Sequence, residues 1–102
     1  MEGFKIDDNS RSIPAYSIVN ISTATDTLVK TGAGVLHSIS VTTPILTGTV
    51  EADDALTNTN ALFPAITSPA TLVPYTIVLD IPFTTGLNIH TTQNQSITIT
   101  YL

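Results

Sequence analysis

Residues 74–83 read Pro-Tyr-Thr-Ile-Val-Leu-Asp-Ile-Pro-Phe. Tyr75, Ile77, Leu79, Ile81 and Phe83 fall on alternate positions, with Thr76, Val78, Asp80 and Pro82 between them. A period of two places one set on each face of a strand. The apolar set then lines a core, and the other set faces outward. Thr84-Thr85-Gly86 turns the chain, and residues 87–91 put Leu87 and Ile89 on one side with His90 opposite. Thr92-Gln93-Asn94-Gln95 turns it again, and residues 96–101 place Ile97, Ile99 and Tyr101 against Ser96, Thr98 and Thr100.

The same reading holds upstream. Residues 15–22 and 26–31 form two short strands. Thr31-Gly32-Ala33-Gly34 forms a tight hairpin turn, because glycine tolerates positive φ. In residues 35–42, strict alternation puts Val35, His37, Ile39 and Val41 on one face and Leu36, Ser38, Ser40 and Thr42 on the other. Thr43-Pro44 ends that strand, and residues 45–51 form the next. Asp53 to Asn60 is a polar loop. Residues 61–67 contain Pro64, which cannot donate to a ladder, so they belong at an edge. About eight short strands with turn signals every 8–12 residues fit a two-sheet sandwich or a small barrel, and the expected fold is an all-β, single-domain, two-sheet β-sandwich of jelly-roll-like character, spanning residues 14–102. Residues 1–13 read as an extended N-terminal arm, which carries Glu2, Lys5, Asp7, Asp8 and Arg11.

Composition narrows the function. Of 102 residues, 11% are charged, and three basic against eight acidic residues give a net charge of −5. Lys5, Arg11 and Lys30 are too few to neutralise several phosphates, so no nucleic-acid partner is expected. The chain has no cysteine, which removes disulfides and thiolate metal sites. Residues 31–50 lack Asp, Glu, Lys and Arg but are broken by Thr, Ser, Gly and Pro, whereas a membrane helix needs about 20 mostly apolar residues. No membrane partner is expected, and Met1 to Asp8 holds no apolar run of the kind an export signal needs. Nineteen threonines and eight serines supply polarity without charge. A body with only six charged side chains after residue 12 is expected to pack against other subunits.

Chemistry-bearing residues are sparse. His37 and His90 are far apart in sequence, and a zinc site built on them would need carboxylates to converge, so no metal is expected. Glu51, Asp53, Asp54, Asn58 and Asn60 offer oxygens but lack the spacing of a calcium loop, and they read as a solvated loop. Asp80 lies mid-strand, apart from those acids, so no carboxylate pair for glycoside hydrolysis is built by spacing. There is no Gly-x-Ser-x-Gly turn among the hydroxyls, and Gly32-Ala33-Gly34 lacks the third glycine of a phosphate loop. Asn20-Ile21-Ser22 and Asn94-Gln95-Ser96 fit the glycosylation triplet but read as ordinary polar positions. No catalytic residue, cofactor or metal is expected, and the protein is not expected to be an enzyme. Phe4, Ile6 and Ile13, apolar side chains on a charged arm, are the candidate partner interface.

From Leu28 onward, over roughly three quarters of its length, the chain resembles a group of small virion proteins of tailed bacteriophages. The resemblance rests on Leu28-Val29-Lys30-Thr31-Gly32-Ala33-Gly34-Val35-Leu36-His37-Ser38-Ile39 and on Tyr75 with Leu79-Asp80-Ile81-Pro82-Phe83-Thr84-Thr85-Gly86-Leu87. The closing Ile97-Thr98-Ile99-Thr100-Tyr101 adds to it. The chain departs after Gly48-Thr49-Val50, where Glu51-Ala52-Asp53-Asp54 replaces the aromatic and Asp-Asn residues common in that group. The resemblance implies an all-β capsid decoration (cement) protein, made in the host cytoplasm and placed on the capsid exterior. Its implied partners are the major capsid protein and further copies of itself, as a homotrimer. A tail, neck or fibre component and a glycan-binding virion module are the alternatives.

Overall fold

The computed structural model describes the backbone at residues 4–6 and 12–102, and side chains from residue 15 onward. Every regular element among the described residues is a strand. In chain order these are β1 (Phe4–Ile6), β2 (Ser12–Pro14), β3 (Ser17–Ile21), β4 (Asp26–Thr31), β5 (Gly34–Thr43), β6 (Thr49–Asp53), β7 (Ile66–Thr67), β8 (Tyr75–Phe83), β9 (Gly86–Thr91) and β10 (Ser96–Tyr101). β1 and β2 pair antiparallel as a two-stranded sheet. The other eight form two antiparallel sheets of four, in the orders β3-β10-β5-β8 and β4-β9-β6-β7.

That order has a simple origin. β6 pairs with β7, β5 with β8, β4 with β9 and β3 with β10. The chain is therefore one long antiparallel hairpin, with β3 to β6 running out and β7 to β10 running back. It is rolled until β10 also meets β5 and β9 also meets β6. This is a jelly roll, in which rolling divides each arm of the hairpin between two sheets. Thr31-Gly32-Ala33-Gly34 is accordingly not a hairpin turn. It carries the chain from β4 in one sheet to β5 in the other, with Gly32 at φ +91°.

The core lies between the sheets. Leu36, Ile39, Val41, Phe83, Ile97, Ile99 and Ile21 come from the first sheet, and Val50, Ala52, Leu87 and Ile89 from the second. Burying aliphatic side chains of this size contributes about 1.5–3 kcal/mol each. β8 and β10 keep the alternation expected of them.

β5 does not. Leu36, Ile39 and Val41 are fully buried, so the inward face changes parity between positions 36 and 39. The span from Leu36 to Ile39 takes three steps in β5, two in β10 (Tyr101 to Ile99) and four in β8 (Ile81 to Ile77). Two adjacent β-bulges absorb the mismatch, one on β5 and one on β8. Bulges bend a sheet and re-aim side chains. Here they turn His37 off the face of Ile39 and Val41 where strict alternation puts it.

Two further boundaries move. β6 begins at Thr49 and not at Ile45, because residues 45–48 form a turn closed by Gly48 N–H donating to Ile45 O at 2.8 Å. Gly48 is buried against Gln95. Of residues 61–67, Ile66 and Thr67 make a strand, at the sheet edge as Pro64 requires.

Candidate interaction surfaces

The two outer faces of the sandwich differ in charge. On the β3-β10-β5-β8 sheet, register aligns Ile18, Thr100, Ser38 and Val78 in one row and Asn20, Thr98, Ser40 and Thr76 in the next. These eight side chains carry no charge. Many of their polar groups are already paired with each other. Thr98 Oγ1 donates to Asn20 Oδ1 at 2.8 Å, Ser40 and Thr76 hydroxyls meet at 2.9 Å, and Ser38 and Thr100 hydroxyls meet at 2.5 Å. A hydroxyl paired with its neighbour has less hydration to lose when a partner covers it. Ile18 and Val78, at opposite ends of their row, are 65% and 63% exposed.

The β4-β9-β6-β7 sheet is acidic on its outside. Register aligns Asp26, His90 and Glu51 in one row and Leu28, Asn88 and Asp53 in the next, and in the second row Leu28 is exposed while Asn88 and Asp53 are buried. His90 Nδ1 lies 2.5 Å from Asp26 Oδ1. A carboxylate only accepts, so Nδ1 carries the proton. Glu51 is held above its usual carboxylate range, first by desolvation and then by the neighbouring Asp53. Among the described residues no group of three or more His, Asp or Glu side chains is arranged to hold a metal ion. None of their elements is a helix long and apolar enough to cross a membrane.

The loop acids are not simply solvated. Asp53 is buried and accepts from Asn60 N–H at 2.8 Å. Asp54 reaches across to the β8–β9 turn. Its carboxylate accepts from the backbone N–H of Thr85 at 2.8 Å and of Thr84 at 3.0 Å. These bonds hold Asp54 below its usual range. Both acids thus shape loops.

At one end of the uncharged face the two bulges present His37. Its Nδ1 donates to Asp80 Oδ1 at 2.6 Å, and its ring stacks on Tyr16 with centroids 4.1 Å apart and planes 9° from parallel. Asp80 sits at φ +50°. Sequence reasoning weighed His37, His90 and Asp80 singly and missed both histidine–aspartate pairs. The partners are 43 and 64 residues apart, and only strand register joins them. It also read Gln95 as a turn residue. Gln95 is fully buried, accepting from Ser68 Oγ at 2.7 Å and donating to Thr49 O and Thr92 O. The side chains of Phe4, Ile6 and Ile13 lie outside the described residues.

Comparison of the chain with protein-family models, with curated proteins and with solved structures finds no match in any of the three.

Proposed function

We propose that this protein is a non-enzymatic structural component of a tailed-phage virion, sitting on the capsid exterior and stabilising the shell by binding across major capsid protein subunits. The observation that carries the reading is the outer face of the β3-β10-β5-β8 sheet. It has no charge over two full rows, its hydroxyls are mutually paired, and it exposes Ile18 and Val78. Such a face has a low desolvation cost when covered, while the acidic face opposite remains suited to water. The resemblance of residues 28–39, and of Tyr75 with residues 79–87, to phage virion proteins supplies the particle.

A specific interface takes roughly 800 Å² from each partner, about one seventh of this chain's 5701 Å² of accessible surface. Modest contacts repeated over a symmetric shell add up through avidity. The arm at residues 1–13, with Phe4, Ile6 and Ile13, is proposed as a second contact.

The test is co-sedimentation of the purified protein with phage capsid shells, with copy number read by gel densitometry. Saturation in proportion to shell subunits supports decoration. A few copies per particle points to a tail, neck or fibre part, and no binding ends the reading. The double substitution Thr76→Lys/Val78→Lys should weaken attachment at least tenfold, and deletion of residues 1–13 should weaken it without loss of fold.

A further inference from the structure

Each four-stranded sheet has two edges, and an edge strand presents unpaired backbone N–H and C=O groups to any passing chain. Three of the four edges here are guarded. β4 carries Asp26 and Lys30 and is broken by a bulge at Val29. β7 is two residues long, between Pro64 and Pro69. β8 has its bulge, Asp80 at positive φ, and Pro82 without an N–H. β3 has none of these devices. Ser17-Ile18-Val19-Asn20-Ile21 contains no charge and no proline, and its register with β10 is unbroken. Among the described residues β10 lies on one side of β3 and no strand lies on the other.

We propose that the β3 edge is a dimerisation edge, where β3 of a second copy adds antiparallel about a two-fold axis at Val19. Centring on Val19 uses all five residues, facing Ile18 to Asn20 and Ser17 to Ile21 of the second copy. The two sheets then run on as one of eight strands. Three features select a second copy as the occupant. An antiparallel strand is complementary to itself, so one open edge suffices, and a two-fold closes without leaving another. Two chains of charge −5 repel unless they meet away from their acids. β3, β10 and β5 carry no Asp, Glu, Lys or Arg; of the acids among the described residues, Asp26, Glu51, Asp53 and Asp54 belong to the other sheet and the loop after it, and Asp80 lies on β8 at the far edge of the same sheet. A partner of opposite charge would find nothing on β3 to pair with. The symmetry is two-fold, not the three-fold that the phage resemblance implies. The inference rests on the sheet edges and not on the virion reading.

Light scattering and sedimentation velocity on the full chain, with no capsid present, test it. The expected mass is twice 10.8 kDa. Ile18→Lys/Asn20→Lys places lysines opposite each other across the axis and should return the mass to one chain, with an unchanged all-β circular dichroism spectrum. Val78→Lys, equally exposed on the far edge, should stay a dimer. Amide exchange on the unmodified protein gives a second readout should the double variant not fold. Alternate β3 amides, those turned away from β10, should be protected and should lose protection on dilution. A one-chain mass at high micromolar concentration, an assembly that survives the two lysines, or β3 exchange indifferent to dilution would overturn the proposal.

Discussion

His37 and Asp80 meet at 2.6 Å where β5 and β8 fall out of step, and the aspartate that makes the contact holds its backbone at φ +50°. The left-handed region is costly for most L-residues, by roughly 1–2 kcal/mol, and is best tolerated by Gly, Asn and Asp. Asp80→Ala should therefore destabilise the protein by about 1–2 kcal/mol, mostly through the backbone, since the side chain is 60% exposed and its hydrogen bond to His37 competes with water. Asp80→Asn and Asp80→Gly should each lose clearly less. Urea denaturation of the three variants gives the ranking, and an alanine variant as stable as the asparagine one would contradict the backbone account.

The parity change in β5 makes a sharper prediction. Strict alternation puts Val35 with Ile39 and Val41, whereas the structure buries Leu36 completely and leaves Val35 half-buried opposite Pro82. Leu36→Ala should cost about 2–5 kcal/mol, the range for an aliphatic deletion in a packed core. Val35→Ala should cost no more than about 1 kcal/mol. Thermal and denaturant midpoints decide between the registers.

These residues also mark what the sequence made legible. The alternation in residues 75–83 and 96–101 is local, needs no partner strand to be read, and was enough to find the sandwich. A bulge is a disagreement between neighbouring strands, so no window on β5 alone reveals that β10 spends two steps and β8 four on the same span. The histidine–aspartate pairs share that limit. The neutral and acidic faces were half visible, since the scarcity of charge is written in the composition, but its division between two sheets follows from the rolled hairpin. Gln95 was hidden for another reason. A polar residue beside a turn looks solvated until the Ile45–Gly48 turn and Ser68 are folded over it.

Gly48 is required because of Gln95. A Cβ at position 48 would lie 2.4 Å from the Gln95 side-chain carbon. That side chain cannot swing aside, because it is fully buried and bonded to Ser68, Thr49 and Thr92. Gly48→Ala should destabilise by about 1–3 kcal/mol. Gln95→Ala should cost on the order of 1–3 kcal/mol through the polar partners it abandons. In the double variant the clash is gone, so the losses should fall short of additive by at least about 0.5 kcal/mol. Full additivity in a double-mutant cycle would show that the two side chains do not compete for one space.

Asp54 and Glu51 should bend the pH profile in opposite directions. Backbone N–H groups of Thr85 and Thr84 hold the Asp54 carboxyl below the usual aspartate range, so its ionised form is favoured by folding. Its contribution is complete above the unfolded value and is lost as pH falls through the folded one. Asp54→Asn should lower the melting temperature at pH 7, and the gap from the parent should close on acidification below about pH 4. Glu51 is held above the usual glutamate range by desolvation and by Asp53, so folding disfavours its charge. Its burden is absent in acid and grows as pH rises through the unfolded value to the raised folded one. Glu51→Gln should raise the melting temperature at pH 7 and make no difference in acid. Melting curves of the two variants from pH 3 to pH 8 should diverge from the parent on opposite sides. A Glu51→Gln variant less stable than the parent at neutral pH would mean that attraction from His90 favours the carboxylate more than desolvation and the neighbouring Asp53 disfavour it.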